Sequence, residues 1–241
     1  MKSRHTNQGF TLVEIAIVLV IIGLLLGGIL KGQEMITQAK IKNVIADFSG
    51  ISAAYHGYVD RYHKIPGDDP CAGSSNSPVA PAICGSATAR WGANSAHGDG
   101  NGIVQGSYKS ATTTDESMLW WDHLRRAGFV SGTGVAQPFN ALTGIIGVQT
   151  GDAQSATSPG PTMKDASTPP NGFVGIIICS SNLPDKIAIA ADTQMDDGVG
   201  NTGTVRGLLQ AGANPAIDNT TVATPSYQET GSNIYTICRS L

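Results

Sequence analysis

Residues 10–30 read FTLVEIAIVLVIIGLLLGGIL, an unbroken apolar run of 21 residues with a single charge, Glu14. About 20 apolar residues suffice to cross a bilayer as a helix, so this run is long enough to span one. Residues 1–9, MKSRHTNQG, are polar and carry Lys2 and Arg4. A basic flank of this kind stays on the cytoplasmic side and sends the rest of the chain outward. An ordinary signal peptide fits poorly, because its apolar core is shorter and ends at a small-x-small cleavage site. Here the run continues through Lys31, Gly32 and Gln33 into a helical pattern. Glu14 is the informative position. A carboxylate inside a spanning segment costs about 2.5 kcal/mol or more and usually marks function; the alternative is a charge near enough to the interface to be wetted.

Working outward, Ile41, Val44, Ile45, Phe48, Ile51, Tyr55, Tyr58, Val59 and Tyr62 recur mostly three and four residues apart. That spacing predicts an amphipathic helix with one apolar stripe, stopping before Pro66-Gly67. Residues 10–62 would then form one helix on the order of 80 Å long at 1.5 Å per residue. Its first part, residues 10–30, is apolar all round and suits lipid or other subunits. Its second part, residues 31–62, is one-sided and suits packing on the chain's own head, residues 63–241. Gly27, Gly28 and Gly32 weaken the helix by about 1 kcal/mol each relative to alanine, which fits either local melting or close helix–helix packing through small residues. His56 and His63 are seven apart. A metal pair on a helix wants three or four, so surface or boundary positions are expected.

The string Gly9-Phe10-Thr11-Leu12-Val13-Glu14 closely resembles the processing motif of type IV pilins and type II secretion pseudopilins. The resemblance implies cleavage between Gly9 and Phe10 by a membrane prepilin peptidase and N-methylation of Phe10. It implies an α+β, pilin-like fold, with the long helix packed on an antiparallel sheet. It also implies a path: anchoring in the bacterial inner membrane with the head outside the cytoplasm, contact with an assembly platform there, then incorporation with other pilin-like subunits into a periplasmic pseudopilus or an extracellular pilus. In such a filament Glu14 pairs with the amine of a neighbouring subunit. Neither charge is tolerable alone in hydrocarbon, and a pair is far less costly. The sequence departs from the commonest pilin pattern in having no proline near the end of the apolar run. The motif does not separate a minor or specialised pilin from a pseudopilin. The size of the head favours the former over an abundant repeating subunit.

The composition agrees with an exported head. Charged residues are only 14%, and Gly, Ser, Thr and Asn are frequent, a polar, uncharged bias that suits surface-exposed loops. The net charge of −3 and the lack of a dense Lys/Arg run exclude a basic nucleic-acid face. The four cysteines, Cys71, Cys84, Cys179 and Cys238, have no CxxC spacing, so disulfides are favoured over zinc or redox motifs. The pairing Cys71–Cys84 with Cys179–Cys238 is preferred, since the first closes a local loop and the second could tie a central strand to the C-terminal one.

In the head, Asp99, Asn101 and Gly102 alternate as at the start of a calcium loop. The closing glutamate of an EF-hand is missing, and a tight Gly/Asn turn accounts for the same residues. If calcium binds, Asp68 or Asp69 could complete it; no other cofactor is expected. Asp196-Asp197-Gly198 resembles a recurrent C-terminal pilin element and reads as a self-capped turn, with Asp192, Asp196 and Asp197 as a more remote cation set. A short helix is expected from Asp115, its N-cap, to Gly128, which ends it. Residues 140–171 read as a long exposed connection. Residues 173–179 (FVGIIIC), 186–191 (KIAIAA) and 233–238 (NIYTIC) read as strands, the first two joined as a hairpin. No G-x-S-x-G, P-loop, G-x-G-x-x-G or H-E-x-x-H is present, so no enzyme is expected. The contrasting class is a membrane-anchored periplasmic enzyme or binding domain that merely uses this anchor.

Overall fold

A computed structural model describes residues 11–73, 84, 90–92, 95–153 and 159–241. Helix α1 spans Leu12–Tyr62. By its internal contacts the chain divides into Met1–Ala39 and Lys40–Leu241. Gly27, Gly28 and Gly32 are helical, and nothing lies within 4 Å of where a side chain would begin at any of them. Beyond Lys40 the stripe does what its spacing dictates: Ile41, Val44, Phe48, Ile51, Ala54 and Tyr58 are buried, while His56 and His63 are exposed.

The remaining elements are α2 (Glu116–Arg126), β1 (Ile146–Thr150), β2 (Ile176–Pro184), α3 (Asp185–Met195), β3 (Val205–Leu209) and β4 (Ile234–Ser240). The four strands form one antiparallel sheet in the order β1-β2-β4-β3. The fold is thus α+β, with a long N-terminal helix and an antiparallel sheet head, as expected. Three local readings are corrected. KIAIAA is not a strand but the first half of α3. Its isoleucine–alanine alternation mimics a period of two, yet Asp185, Ile187, Ala188, Ala191 and Asp192 are the buried positions, which is helical spacing. There is accordingly no hairpin at residues 182–185: β2 runs through Asn182 and Leu183 to Pro184, and α3 begins at once. Residues 140–171 are not all connection, because IGVQT within them is edge strand β1.

The apolar run in β2 is buried on both faces of the sheet, which explains why it does not alternate. Ile178, with Val148, Val205 and Ile237, faces Val44, Phe48 and Ile51 of α1, Trp120, Trp121 and Leu124 of α2, and Ile187 and Ala191 of α3. On the other face Ile177, Cys179 and Cys238 meet Tyr108, Met163, Phe173, Ile217 and Ala223, which come from loops. Helices therefore cover one face and ordered loops the other. Both edges of the sheet are covered too. Ile146 N–H donates to the Pro138 carbonyl and Thr150 N–H to that of Val104 along β1, while Gly207 N–H donates to Gly200 and Thr224 N–H to Gly207 along β3. Such covering removes the unpaired groups that template aggregation.

Cys71 is bonded to Cys84 and Cys179 to Cys238. Cys179 and Cys238 sit directly opposite one another in the β2–β4 register and are fully buried. Their bond closes a separation of 59 residues, for which loop entropy gives about 4 kcal/mol. Replacing both by alanine is expected to lower the thermal midpoint of the detergent-solubilised chain by roughly 10 °C, followed by circular dichroism. An unchanged midpoint would show that the bond adds no constraint beyond the strand pairing.

Candidate functional site

The N-terminal part of α1 presents its apolar side chains unburied. Every residue from 12 to 30 is exposed, with Leu12 at 91% and Leu24 at 74%. Among the described residues α1 is the helix long and apolar enough to cross a membrane. Gly9 and Phe10, on either side of the expected cut, lie outside the described residues. Glu14 stands in the first turn. Its Oε2 accepts from the Thr11 backbone N–H and from the Thr11 hydroxyl, each at 2.8 Å, and Thr11 Oγ1 accepts in return from the Glu14 N–H at 3.3 Å. This is a capping box, which satisfies helix-terminal N–H groups that have no intrahelical acceptor. The signal for it, Thr11 followed three residues later by Glu14 ahead of an apolar run, is in the sequence. It is easily passed over because a processing motif occupies the same residues.

Residues 4–30 match the family model of the prokaryotic N-terminal methylation motif. The chain carries the signature of type IV pilins and pseudopilins. No curated protein and no solved structure matches the chain. The prepilin motif implies a substrate of the peptidase and a partner for pilin-like subunits, and the family that it marks is structural. With the apolar helix it fits membrane anchoring before assembly.

In the head, Asp68, Asp69 and Asp99 fall into two separate groups. Asp68 and Asp99 come together with Glu116, one oxygen of each lying within 4.8 Å of the others. The sequence does not point to Glu116, since its place beside Asp68 depends on α2 packing against the Pro66-Gly67 turn. Asp68 accepts from the N–H groups of Gly100, Asn101 and Gly102, and Glu116 from those of Asp99 and Gln105. Asn101 uses its Oδ1 on the Ile103 N–H and its Nδ2 on Asp99. The GDGNG string therefore wraps backbone N–H groups around buried carboxylates. Asp69 belongs elsewhere. It is buried, accepts from the Tyr58 hydroxyl at 2.7 Å and the Cys71 N–H at 2.8 Å, and pairs with Arg90. The Arg90 guanidinium lies 4.1 Å from the Tyr62 ring centre, so this cluster fastens the end of α1 to the IPGDD turn.

His123 on α2 is buried. Its Nδ1 accepts from the Gly67 N–H at 2.9 Å, which leaves the proton on Nε2, 3.0 Å from the Ala96 carbonyl. Burial lowers its pKa and keeps it neutral. It is a structural pin between two loops.

Burial pushes the Asp68 carboxyl up to about 6 and the Glu116 carboxyl up to about 7, against the pull of the N–H groups that they accept. A group whose folded pKa lies above its unfolded value holds more protons in the folded state. Its stabilising effect is full below the unfolded pKa and declines as pH rises through the folded one. The head should therefore lose stability between about pH 4.5 and pH 7. Thermal midpoints across that range in the presence of a chelator test this, and Glu116→Gln should flatten the profile. A midpoint that rises over the same range would contradict it.

Proposed function

We propose that this chain is a structural subunit, a minor or specialised pilin of a type IV pilus or related filament. A prepilin peptidase removes residues 1–9 after Gly9, and Phe10 becomes the N-methylated first residue. The apolar part of α1 holds the protein in the inner membrane, with the head outside the cytoplasm, until it joins the filament core. The observation that carries this reading is the fully exposed apolar surface of residues 12–30 with its one carboxylate, Glu14. So large a bare apolar surface needs lipid or other subunits to cover it. The head supports a non-enzymatic role: its buried His123 and Asp69 are engaged in holding loops together.

Mass spectrometry of sheared surface filaments tests the proposal. The expected result is a low-abundance subunit whose first residue is methylated Phe10. Recovery of the mature chain only in a periplasmic complex with secretion components would make it a pseudopilin instead. Recovery of a chain that retains residues 1–9 would overturn both.

A further inference from the structure

Helix α3 ends in a concentration of negative charge that nothing on the helix offsets. Asp192 stands in its last turn, Asp196 is its C-cap and Asp197 follows, and the last turn holds no basic residue. A helix C-terminus already carries a partial negative charge and ordinarily attracts a cation. One oxygen from each of the three carboxylates lies within 4.8 Å of the others.

Asp196 and Asp197 each accept two hydrogen bonds from the chain just beyond the helix. Asp196 Oδ2 accepts from the N–H groups of Thr204 and Val205. Asp197 accepts from the Val199 N–H and the Thr202 hydroxyl. Gly203 leaves the room for this, since a side chain there would begin 1.8 Å from Asp196 Oδ2. Asp192 differs. It is wholly buried, at 0% exposure. Its Oδ2 accepts from the Tyr227 hydroxyl at 2.6 Å, and its Oδ1 has no hydrogen-bond partner. The Gly198 N–H interacts with this carboxylate and lowers its pKa against the effect of burial. Arg206 is the basic group whose charge reaches Asp197; its Nη1 donates to the carbonyls of Met163 and Asn171, and its Nε has no partner. A buried carboxylate oxygen without a donor, on a residue whose carboxylate adjoins two others, is costly unless a positive charge meets it.

We propose that Asp192, Asp196 and Asp197 form a divalent-cation site of calcium type at the C-terminal end of α3. The donors are all hard oxygens on a helix end and a loop, which suits the flexible coordination of calcium better than the strict octahedron of magnesium. Two exposed or half-buried ligands and one buried ligand suit the 10⁻⁴–10⁻³ M range, roughly, of extracellular modules. That setting rests on the proposed export of the head; binding itself does not. The bound ion would cancel the repulsion that, together with burial, raises the Asp192 carboxyl to about 6. It would also fasten the end of α3 to the start of β3, through the same Asp196 that caps Thr204 and Val205.

The test uses the full chain in detergent micelles, stripped with a chelator and then titrated with calcium chloride. Saturating calcium should raise the thermal midpoint by roughly 5 °C. Terbium should bind in its place and luminesce on excitation of the tyrosines, since Tyr227 touches Asp192. Asp192→Asn should abolish both responses. Asp197→Asn, at an exposed position that leaves the core untouched, should weaken them at least tenfold in concentration and covers the case in which the first variant does not fold. A wild-type chain indifferent to calcium would overturn the proposal. So would responses that survive both variants and vanish in Asp99→Asn, which would assign the ion to the Asp68 loop. Neither outcome bears on filament assembly, so the site and the pilin reading fail separately.

Discussion

Replacing Gly147 by alanine is expected to destabilise the head by about 3 kcal/mol and to lower its thermal midpoint by roughly 10 °C. Gly147 lies in β1, opposite Cys179 of β2. A side chain at 147 would begin 1.8 Å from the Tyr108 carbonyl oxygen. That obstacle is backbone, which cannot swing aside as a flexible side chain can. The Tyr108 segment is itself held in place. Its N–H donates to Gln149 Oε1, its hydroxyl donates to the Pro215 carbonyl, and its own carbonyl accepts from Gln137. The loop therefore has to leave the edge of the sheet or the strand has to move. Either change also opens β1 to other chains, so aggregation on heating should accompany the loss. Gly212→Ala is the control, because nothing lies within 4 Å of its position; it should fall within about 0.5 kcal/mol of the parent. Equal melting of the two variants would mean that the close approach at Gly147 is not a constraint.

The second large effect is at Glu14. Glu14→Ala and Glu14→Gln should both be cleaved and methylated normally, yet fall out of filaments on the order of 100-fold. Under the proposed pairing of Glu14 with a neighbouring subunit's amine, either variant leaves one member of a buried ion pair unmatched, at about 3 kcal/mol. The capping box makes the comparison of the two variants decisive. Glutamine can replace glutamate in such a box, so Glu14→Gln largely keeps the start of α1 while removing the charge. Alanine removes both. Quantitative blotting of sheared filaments, with the membrane fraction as reference, gives the readout. If Glu14→Gln assembles like the parent and Glu14→Ala does not, capping the helix is what Glu14 contributes, and the charge pair is wrong.

These two residues differ in how far the sequence reveals them. Glu14 is conspicuous because a lone charge in an apolar run is anomalous within its own neighbourhood. Gly147 is not, being one of 30 glycines, and its importance comes from Tyr108, which arrives through a loop. The same contrast runs through the head. The strand nature of IGVQT and VRGLL is weak over five residues and becomes definite only when Cys179 and Cys238 pair opposite them. The segment KIAIAA carries an ambiguous local pattern, and packing against the sheet decides it as helix. Asp99 and Asn101 could be named from their spacing, but Glu116, the residue that completes their cluster, could not. Asp192, Asp196 and Asp197 could be grouped by proximity in sequence. That Asp192 is buried with one oxygen on Tyr227, 35 residues further on, and the other without a donor is decided by the fold.

By itself the sequence determined the processing motif, the length and apolar character of the N-terminal helix, its one-sided second half and the α+β class of the chain. The helix and its one-sided half follow from hydrophobicity and spacing within one turn or one run of residues, where the relevant neighbours are adjacent in the chain, and the α+β class follows from the resemblance that the motif carries. Only the tertiary structure decided the strand order, the double burial of β2, the covering of both sheet edges and the state of each buried carboxylate. Those depend on desolvation and on partners that are far apart in sequence, and burial is a property of the assembled fold and of no short segment of it.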